Sequence, residues 1–387
     1  MPSRDLNPFR FSGPLAPEDM IDRDPEADDL LALAEGGHSF RLVGPRRYGK
    51  TTLLRRVLDA AHQKGMVTIL VDLQDVLSIP EIVVRIERGY ERLKGPIRRH
   101  VEALFRTWNI GLSLGGGGFT ATLQRNPNVD AESVLLRLLE LPAALFERQG
   151  TTSLIVFDEI QDVLAVAGAD GKIRSVIQHQ ADAATYAFAG SAPGVMGQLF
   201  ADPKRPLLEG AVPKDLAPLP LQAVADFVTD RFVLTKRDIG AALTPLLEFT
   251  RGHPQRSMML AHYLWERTGP GAAADEEGWV SALEQASKDT AGVMRAIWKA
   301  LPANERRVAR ALAVLRTPLH SEETAKAVGI KRTSITRALD SMVDNADVIY
   351  EARKPRLTDP MFDLWLQKRG LTPTSGDDDA DEDDDSE

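Results

Sequence analysis

The 387-residue sequence has no cysteine. That excludes a disulfide framework, thiol catalysis and any zinc site built on thiolate. Long apolar runs are also missing: none approaches the roughly 18 residues a membrane span needs. Residues 1–10 lack the basic-then-apolar pattern of a secretory signal. A cytoplasmic protein without membrane contact is the expectation. Away from the C-terminus the chain carries no net charge, because the formal −9 resides wholly in residues 377–387, with nine acids and no base. A like-charge block with no apolar side chain larger than alanine cannot bury a core, so residues 371–387 are expected to form a disordered acidic tail. Two roles stand open for it: solubility, or competition with nucleic acid for a basic surface. The length suggests two or three domains.

What is present is organised around Gly44-Pro45-Arg46-Arg47-Tyr48-Gly49-Lys50-Thr51-Thr52. Residues 44–51 fit the phosphate-cradling pattern G-x-x-x-x-G-K-[ST] at every fixed position. Phe40–Val43 before it reads as a short buried strand. After it Leu53, Leu54, Val57, Leu58 and Ala61 recur at helical spacing. Strand, glycine loop and helix in that order point backbone N–H groups and the helix N-terminus at an anion. Lys50 is expected to reach the β- and γ-phosphates of ATP, and Thr51 to hold Mg²⁺.

Residues 1–35 begin with proline- and glycine-broken sequence and end in a helical stretch, Pro25–Glu35. Met20–Asp24, just before it, is open to two readings, an adenine cover or a packing arm. A second buried strand, Met66–Asp72, follows the first helix. Pro80–Arg106 reads as helical. A β-hairpin with a glycine tip is expected at 109–124, either a surface feature or a partner contact. Ala131–Gln149 is helical. The strand Ser153–Phe157 runs into Asp158 and Glu159. A carboxylate at such a strand end reaches Mg²⁺, usually through water, which is the role expected of Asp158. Glu159 can then take a proton from the attacking water. A helix, Lys172–Ala184, leads to the strand Thr185–Ser191. Ser191 at its end either senses the γ-phosphate or caps the following helix. Strands alternating with helices predict a parallel α/β sheet with ligand at the strand C-terminal ends.

Residues 221–300 are mostly helical, with a turn at Gly252-His253-Pro254, where His253 by itself reads as structural. Residues 301–370 carry three helical segments, a strand and a basic wing. Ser321 begins the second helix and Gly329 ends it. The third buries Ile335, Ala338, Leu339, Met342 and Val343, leaving Thr333, Thr336 and Arg337 outward, with Lys331 and Arg332 at its start and Arg353, Lys354 and Arg356 on the wing. This is a winged helix-turn-helix pattern. With 13 bases and nine acids over residues 300–370 it suits duplex DNA, or else protein contact.

These residues together resemble the prokaryotic ATPases of the AAA+ and STAND superclass, often called archaeal-type ATPases. More distantly they resemble replication initiators that join an AAA+ module to a winged helix. The resemblance is carried by Asn7-Pro8-Phe9, Ile21–Asp24, the phosphate loop, Phe157-Asp158-Glu159-Ile160-Gln161, Gly190-Ser191, Gly252-His253-Pro254, Thr358–Phe362 and Trp365-Leu366. It covers nearly the whole chain except the acidic tail. It implies a P-loop NTPase core of the ASCE type at 1–220, in which an extra strand separates the two phosphate-site strands. It also implies a helical lid at 221–300, whose His253-Pro254 turn approaches the nucleotide, and a winged helix at 301–370. Arg256 becomes a candidate lid arginine. Relatives often carry an inter-subunit arginine finger at the end of a segment that here is Leu207–Ala211. No arginine ends it in this chain, and Arg205 nearby is the candidate substitute. The implied activity is Mg²⁺-dependent ATP hydrolysis in a DNA-binding switch that can self-associate on ATP binding. The alternatives are a slow signalling scaffold whose winged helix recruits a protein, and a loader or defence ATPase acting on a neighbouring partner.

Overall fold

Strand order decides which strand ends lie side by side, and residues 10–219 hold a sheet of five parallel strands. In the computed structural model, which describes residues 6–13, 15, 20–108, 130–201, 210–315 and 318–370, the chain divides into two units, 10–219 and 220–387 with 1–9. The first unit holds strands β1 (Phe40–Val43), β2 (Val67–Asp72), β3 (Ser153–Asp158), β4 (Ala184–Gly190) and β5 (Val212–Asp215). They pair in the order β2-β3-β4-β1-β5, all parallel. Strand β4 lies between β1 and β3, so the expected extra strand is present.

All of β3 and β4 is buried, which is why both read as continuous apolar runs rather than alternating ones. Leu154 and Val156 face one core, together with Leu53, Leu54 and Val57 of α2 (Lys50–Gln63) and Leu30 of α1 (Asp24–Glu35). Ile155 and Phe157 face the other, shared with α3 (Ile79–Glu91), α4 (Gly95–Trp108), α5 (Ala131–Gln149), α6 (Ala169–Ile177) and α7 (Pro193–Ala201). Phe157, Tyr186 and Phe188 stack across the strands in that layer.

Two helical stretches differ from what periodicity predicts. The 80–106 pattern breaks into α3 and α4, and Gly95 stands at φ +65° in the junction. The 172–184 pattern starts sooner and stops at Ile177, leaving β4 to begin at Ala184. Inside α5, Pro142 has no N–H to give the carbonyl of Leu138. The buried Tyr90 hydroxyl donates to that carbonyl instead, at 3.2 Å. Beside it Gln180 donates to Leu139 O at 2.9 Å and accepts from the Tyr186 hydroxyl at 2.8 Å. The hairpin expected at 109–124, Arg205 and the acidic tail lie outside the described residues.

The second unit is built from α8 (Leu221–Leu234), α9 (Leu243–Thr250), α10 (Pro254–Arg267), α11 (Glu276–Ala300), α12 (Ala303–Val314), α13 (Glu322–Val328), α14 (Arg332–Asp344), the antiparallel pair β6 (Val348–Glu351) and β7 (Lys354–Leu357), and α15 (Pro360–Arg369). From α12 to β7 the elements follow winged-helix order. Ser321 caps α13 through Thr324 N–H, and Gly329 ends it at φ +67°.

Two expectations change here. The sequence reading assigns residues 1–9 to the sheet unit, but Phe9 packs on Phe232 and Asn7 donates to His262 O at 3.1 Å. It also separates 221–300 from 301–370, yet these share one unit. Trp298 of α11 meets Trp365 of α15, and Arg256 of α10 pairs with Asp359 at the head of α15. These joins are made by side chains far apart in sequence, which helical periodicity does not report.

Candidate active site

The phosphate loop joins β1 to α2, and its shape follows from two residues. Gly49, at φ +88°, turns the chain into α2. Gly44 donates to Gly190 O, and a Cβ on Gly44 would meet Leu216 Cβ at 2.8 Å, so the loop is pressed against the residue that follows β5. Arg47 also adopts a left-handed conformation, and Arg46 and Arg47 are exposed. Tyr48 is not at the mouth of the loop: only 1% exposed, it plugs into the core with Leu53 and Leu54. The backbone of residues 44–49, rather than the Tyr48 ring, is what is available to an anion. Pro45 and Thr52 are buried.

Lys50 is buried, and its Nζ donates to the loop's own carbonyls, Gly44 O at 2.8 Å and Pro45 O at 3.1 Å. Burial lowers its pKa, against the opposing pull of Glu159 and Asp158, and Arg46 lowers it further. A desolvated cation satisfied only by neutral carbonyls is suited to an anion of high charge. Thr51 Oγ1 donates to Asp158 Oδ2 at 2.6 Å. Burial raises the Asp158 carboxyl above its ordinary value, although the Thr51 hydrogen bond lowers it; neighbouring Glu159 adds to the rise. A hydroxyl and a carboxylate oxygen in contact are hard donors of the kind Mg²⁺ takes, so the pair fits that ion.

Glu159 follows at φ +51°, and the bend turns its side chain across the sheet rather than onward along β3. Its Oε2 accepts from Ser191 Oγ at 2.9 Å and from Gln161 Nε2 at 2.7 Å. The sheet unit therefore gathers Lys50, Thr51, Asp158, Glu159 and Ser191 at the C-terminal ends of β1, β3 and β4. Asp162, another acid nearby, is tied to the Asp75 N–H at 2.8 Å. In the sequence Gln161 is marked only by its place in the motif Phe157-Asp158-Glu159-Ile160-Gln161. Its place two residues after the acid pair was the available signal, but nothing in that spacing says that its amide turns back.

Of the Met20–Asp24 segment, Ile21 is buried, and Arg23 donates to Ala217 O at 2.7 Å and to Glu26 at 2.6 Å. It packs as an arm against the residues after β5.

His253 and Pro254 belong to the other unit. The His253 ring is buried and caps α10, its Nδ1 accepting from the Arg256 N–H. Arg256 is 2% exposed, and its guanidinium is committed to Asp359, with Nε donating to Oδ1 at 2.9 Å and Nη2 to Oδ2. That pairing engages the guanidinium within its own unit. Burial alone would raise the Asp359 carboxyl. Arg256, by charge and hydrogen bond, then His253 and the Met361 N–H, hold it below the ordinary value instead.

On the winged-helix elements Lys331, Arg332, Thr333, Thr336 and Arg337 are exposed along the first half of α14, and Arg353 and Lys354 are exposed at the β6–β7 turn. Arg356 departs from expectation. Its Nε lies 2.8 Å from Glu351 Oε2 across the strand pair, and it is largely buried. The cross-strand register places Glu351 opposite Lys354, and the long Arg356 side chain reaches back along the ladder to the same acid. Among the described residues no group of three or more His, Asp or Glu is arranged to hold a metal, and no helix is long and apolar enough to cross a membrane.

No protein-family model and no curated protein matches the chain. Solved structures do. The Walker-type ATPase PABY2304 of Pyrococcus abyssi superposes with a TM-score of 0.69 at 18% identity, over 93% of this chain and 99% of that one. The Aeropyrum pernix ORC2 protein superposes with a TM-score of 0.58 in its ADPNP–ADP complexes, at 15% identity over 92% of this chain and 95% of that one. Its ADP form gives 0.53 at 14% identity, over 93% and 97%. At these identities the likeness is one of fold: the α/β sheet of a P-loop ATPase.

Proposed function

We propose that the chain binds ATP with Mg²⁺ at the phosphate loop and hydrolyses it, and that it acts as a cytoplasmic switch whose winged helix engages duplex DNA. One observation carries the first half: Thr51 and Asp158 in contact beside buried Lys50, with Glu159 held against Ser191 one strand away. The ORC2 protein of the same fold is complexed with ADPNP and ADP, which supports an adenine nucleotide here.

In this reading Lys50 leaves the Gly44 and Pro45 carbonyls for the β- and γ-phosphates, and the loop N–H groups take the remaining oxygens. Mg²⁺, held by Thr51 and through water by Asp158, would offset charge on the β- and γ-phosphates. Glu159 accepts a proton from water as its oxygen bonds to the γ-phosphorus, and the bond to the β-phosphate oxygen breaks, giving ADP and phosphate. Residues 221–300 act as the lid. The exposed bases of α14 and the β6–β7 turn meet the duplex backbone.

Turnover of ATP, measured with and without duplex DNA, is the test. Turnover that E159Q lowers by about 10²–10⁴-fold supports Glu159 as the base. Stimulation by duplex supports the DNA switch. Turnover indifferent to DNA, with no DNA binding at low salt, leaves the protein-recruiting scaffold as the better account.

A further inference from the structure

We infer that Gln161 is a positioning residue for Glu159. The inference deepens the hydrolysis reading above and rests on it. Glu159 leaves β3 through a left-handed bend, so its carboxylate is not aimed by the strand itself. Two donors aim it instead, both on Oε2: the Ser191 hydroxyl at 2.9 Å and the Gln161 amide at 2.7 Å. Ser191 follows β4, the strand between β3 and the phosphate-loop strand β1. The carboxylate is therefore drawn across the sheet toward the phosphate loop. Its other oxygen makes no hydrogen bond among the described residues and stays available to take a proton.

The Gln161 amide has one sensible orientation. Its Nε2 donates to Glu159 and also to Asp162 Oδ1 at 3.2 Å. Asp162 is in turn anchored by the Asp75 N–H at 2.8 Å. Turning the amide over would set its oxygen against two carboxylates, which only accept. The oxygen is thus left on the far side, buried and, among the described residues, without a partner. Gly190 makes room for it: a Cβ there would stand 2.6 Å from Gln161 Oε1 and 2.4 Å from Met196 Sδ. An orphaned buried acceptor is a cost, and burial of apolar area alone would favour a leucine or methionine at this position. What the glutamine supplies in exchange is the N–H on Glu159. Asp75 and Asp162 thereby tie the loop after β2 to the base at the end of β3.

The test uses the full chain with Mg²⁺ and ATP and compares wild type, Q161L, E159Q and the double variant. Q161M serves as a second isostere, and thermal midpoints check that each variant folds. Loss of a hydrogen bond to a charged group that acts in the transition state should lower kcat by about 10- to 100-fold. KM for ATP and the affinity for ADP should stay within about twofold, because neither needs the base to be aimed. In the E159Q background Q161L should add nothing, since the carboxylate it serves is gone. Wild-type kcat in both isosteres overturns the inference, as does the same fold-loss with and without Glu159, or a loss confined to KM. A wild type that does not turn over ATP overturns the hydrolysis reading, and this inference with it.

Discussion

Replacing Arg256 by methionine tests how the second unit is held together. The guanidinium is almost fully buried and makes two hydrogen bonds to the Asp359 carboxylate; its Nη1 lies 3.6 Å from Met259 Sδ, and methionine is the unbranched apolar side chain nearest to it in length. Removing one partner of a buried pair leaves the other charged and desolvated, at a cost of about 3–5 kcal/mol. For a unit of this size that lowers the unfolding midpoint by roughly 6–20 °C. The pH dependence has a definite sign. In wild type the Asp359 carboxyl is held below its ordinary value, so its contribution is complete above the carboxylate range and is lost as pH falls through the native value. In R256M burial is no longer opposed by Arg256, so the native carboxyl takes up its proton at a higher pH than in wild type; the deficit should be largest at the alkaline end and shrink as pH falls from that raised value down to the lowered wild-type one. R256M/D359N removes the stranded charge while keeping the side-chain oxygen that caps Met361, and should recover about half of the loss or more. Thermal unfolding followed by circular dichroism from pH 3 to 8 reads all of this. A loss under about 1 kcal/mol at pH 7, or a double variant no better than the single one, refutes the argument.

Two further outcomes are expected. K50A should abolish tight ATP binding by calorimetry, because no other buried cation stands at the loop among the described residues; unchanged affinity would remove the phosphate-loop assignment. Changing Lys331, Arg332 and Arg337 together to alanine should weaken DNA binding, and each lost phosphate contact should reduce the salt slope of log K by about 0.9. R356A should change that slope much less, since Glu351 already holds Arg356; equal effects would put Arg356 on the DNA after all.

The spacing of glycines and lysine at 44–51, and the apolar run that ends in Asp158 and Glu159, were legible without coordinates because both are local. A loop that curls around an anion needs glycine at set positions, and a strand buried on both faces needs an unbroken apolar run. The winged-helix order was legible for the same reason: Ser321, Gly329 and the spacing of Ile335, Leu339 and Met342 act within one or two turns. Other matters were settled by groups distant in sequence. Tyr48 turns into a core that Leu154, Ala189 and Leu216, far along the chain, help to build. Arg256 lies 103 residues from Asp359, and no local pattern reports that pairing. The left-handed bend at Glu159 lets Gln161 and Ser191, 32 residues apart from the base in the latter case, share one carboxylate oxygen. Local sequence determines which backbone forms. Which buried charge finds which partner depends on the whole packed structure, since desolvation is felt only once the surrounding elements have closed around it.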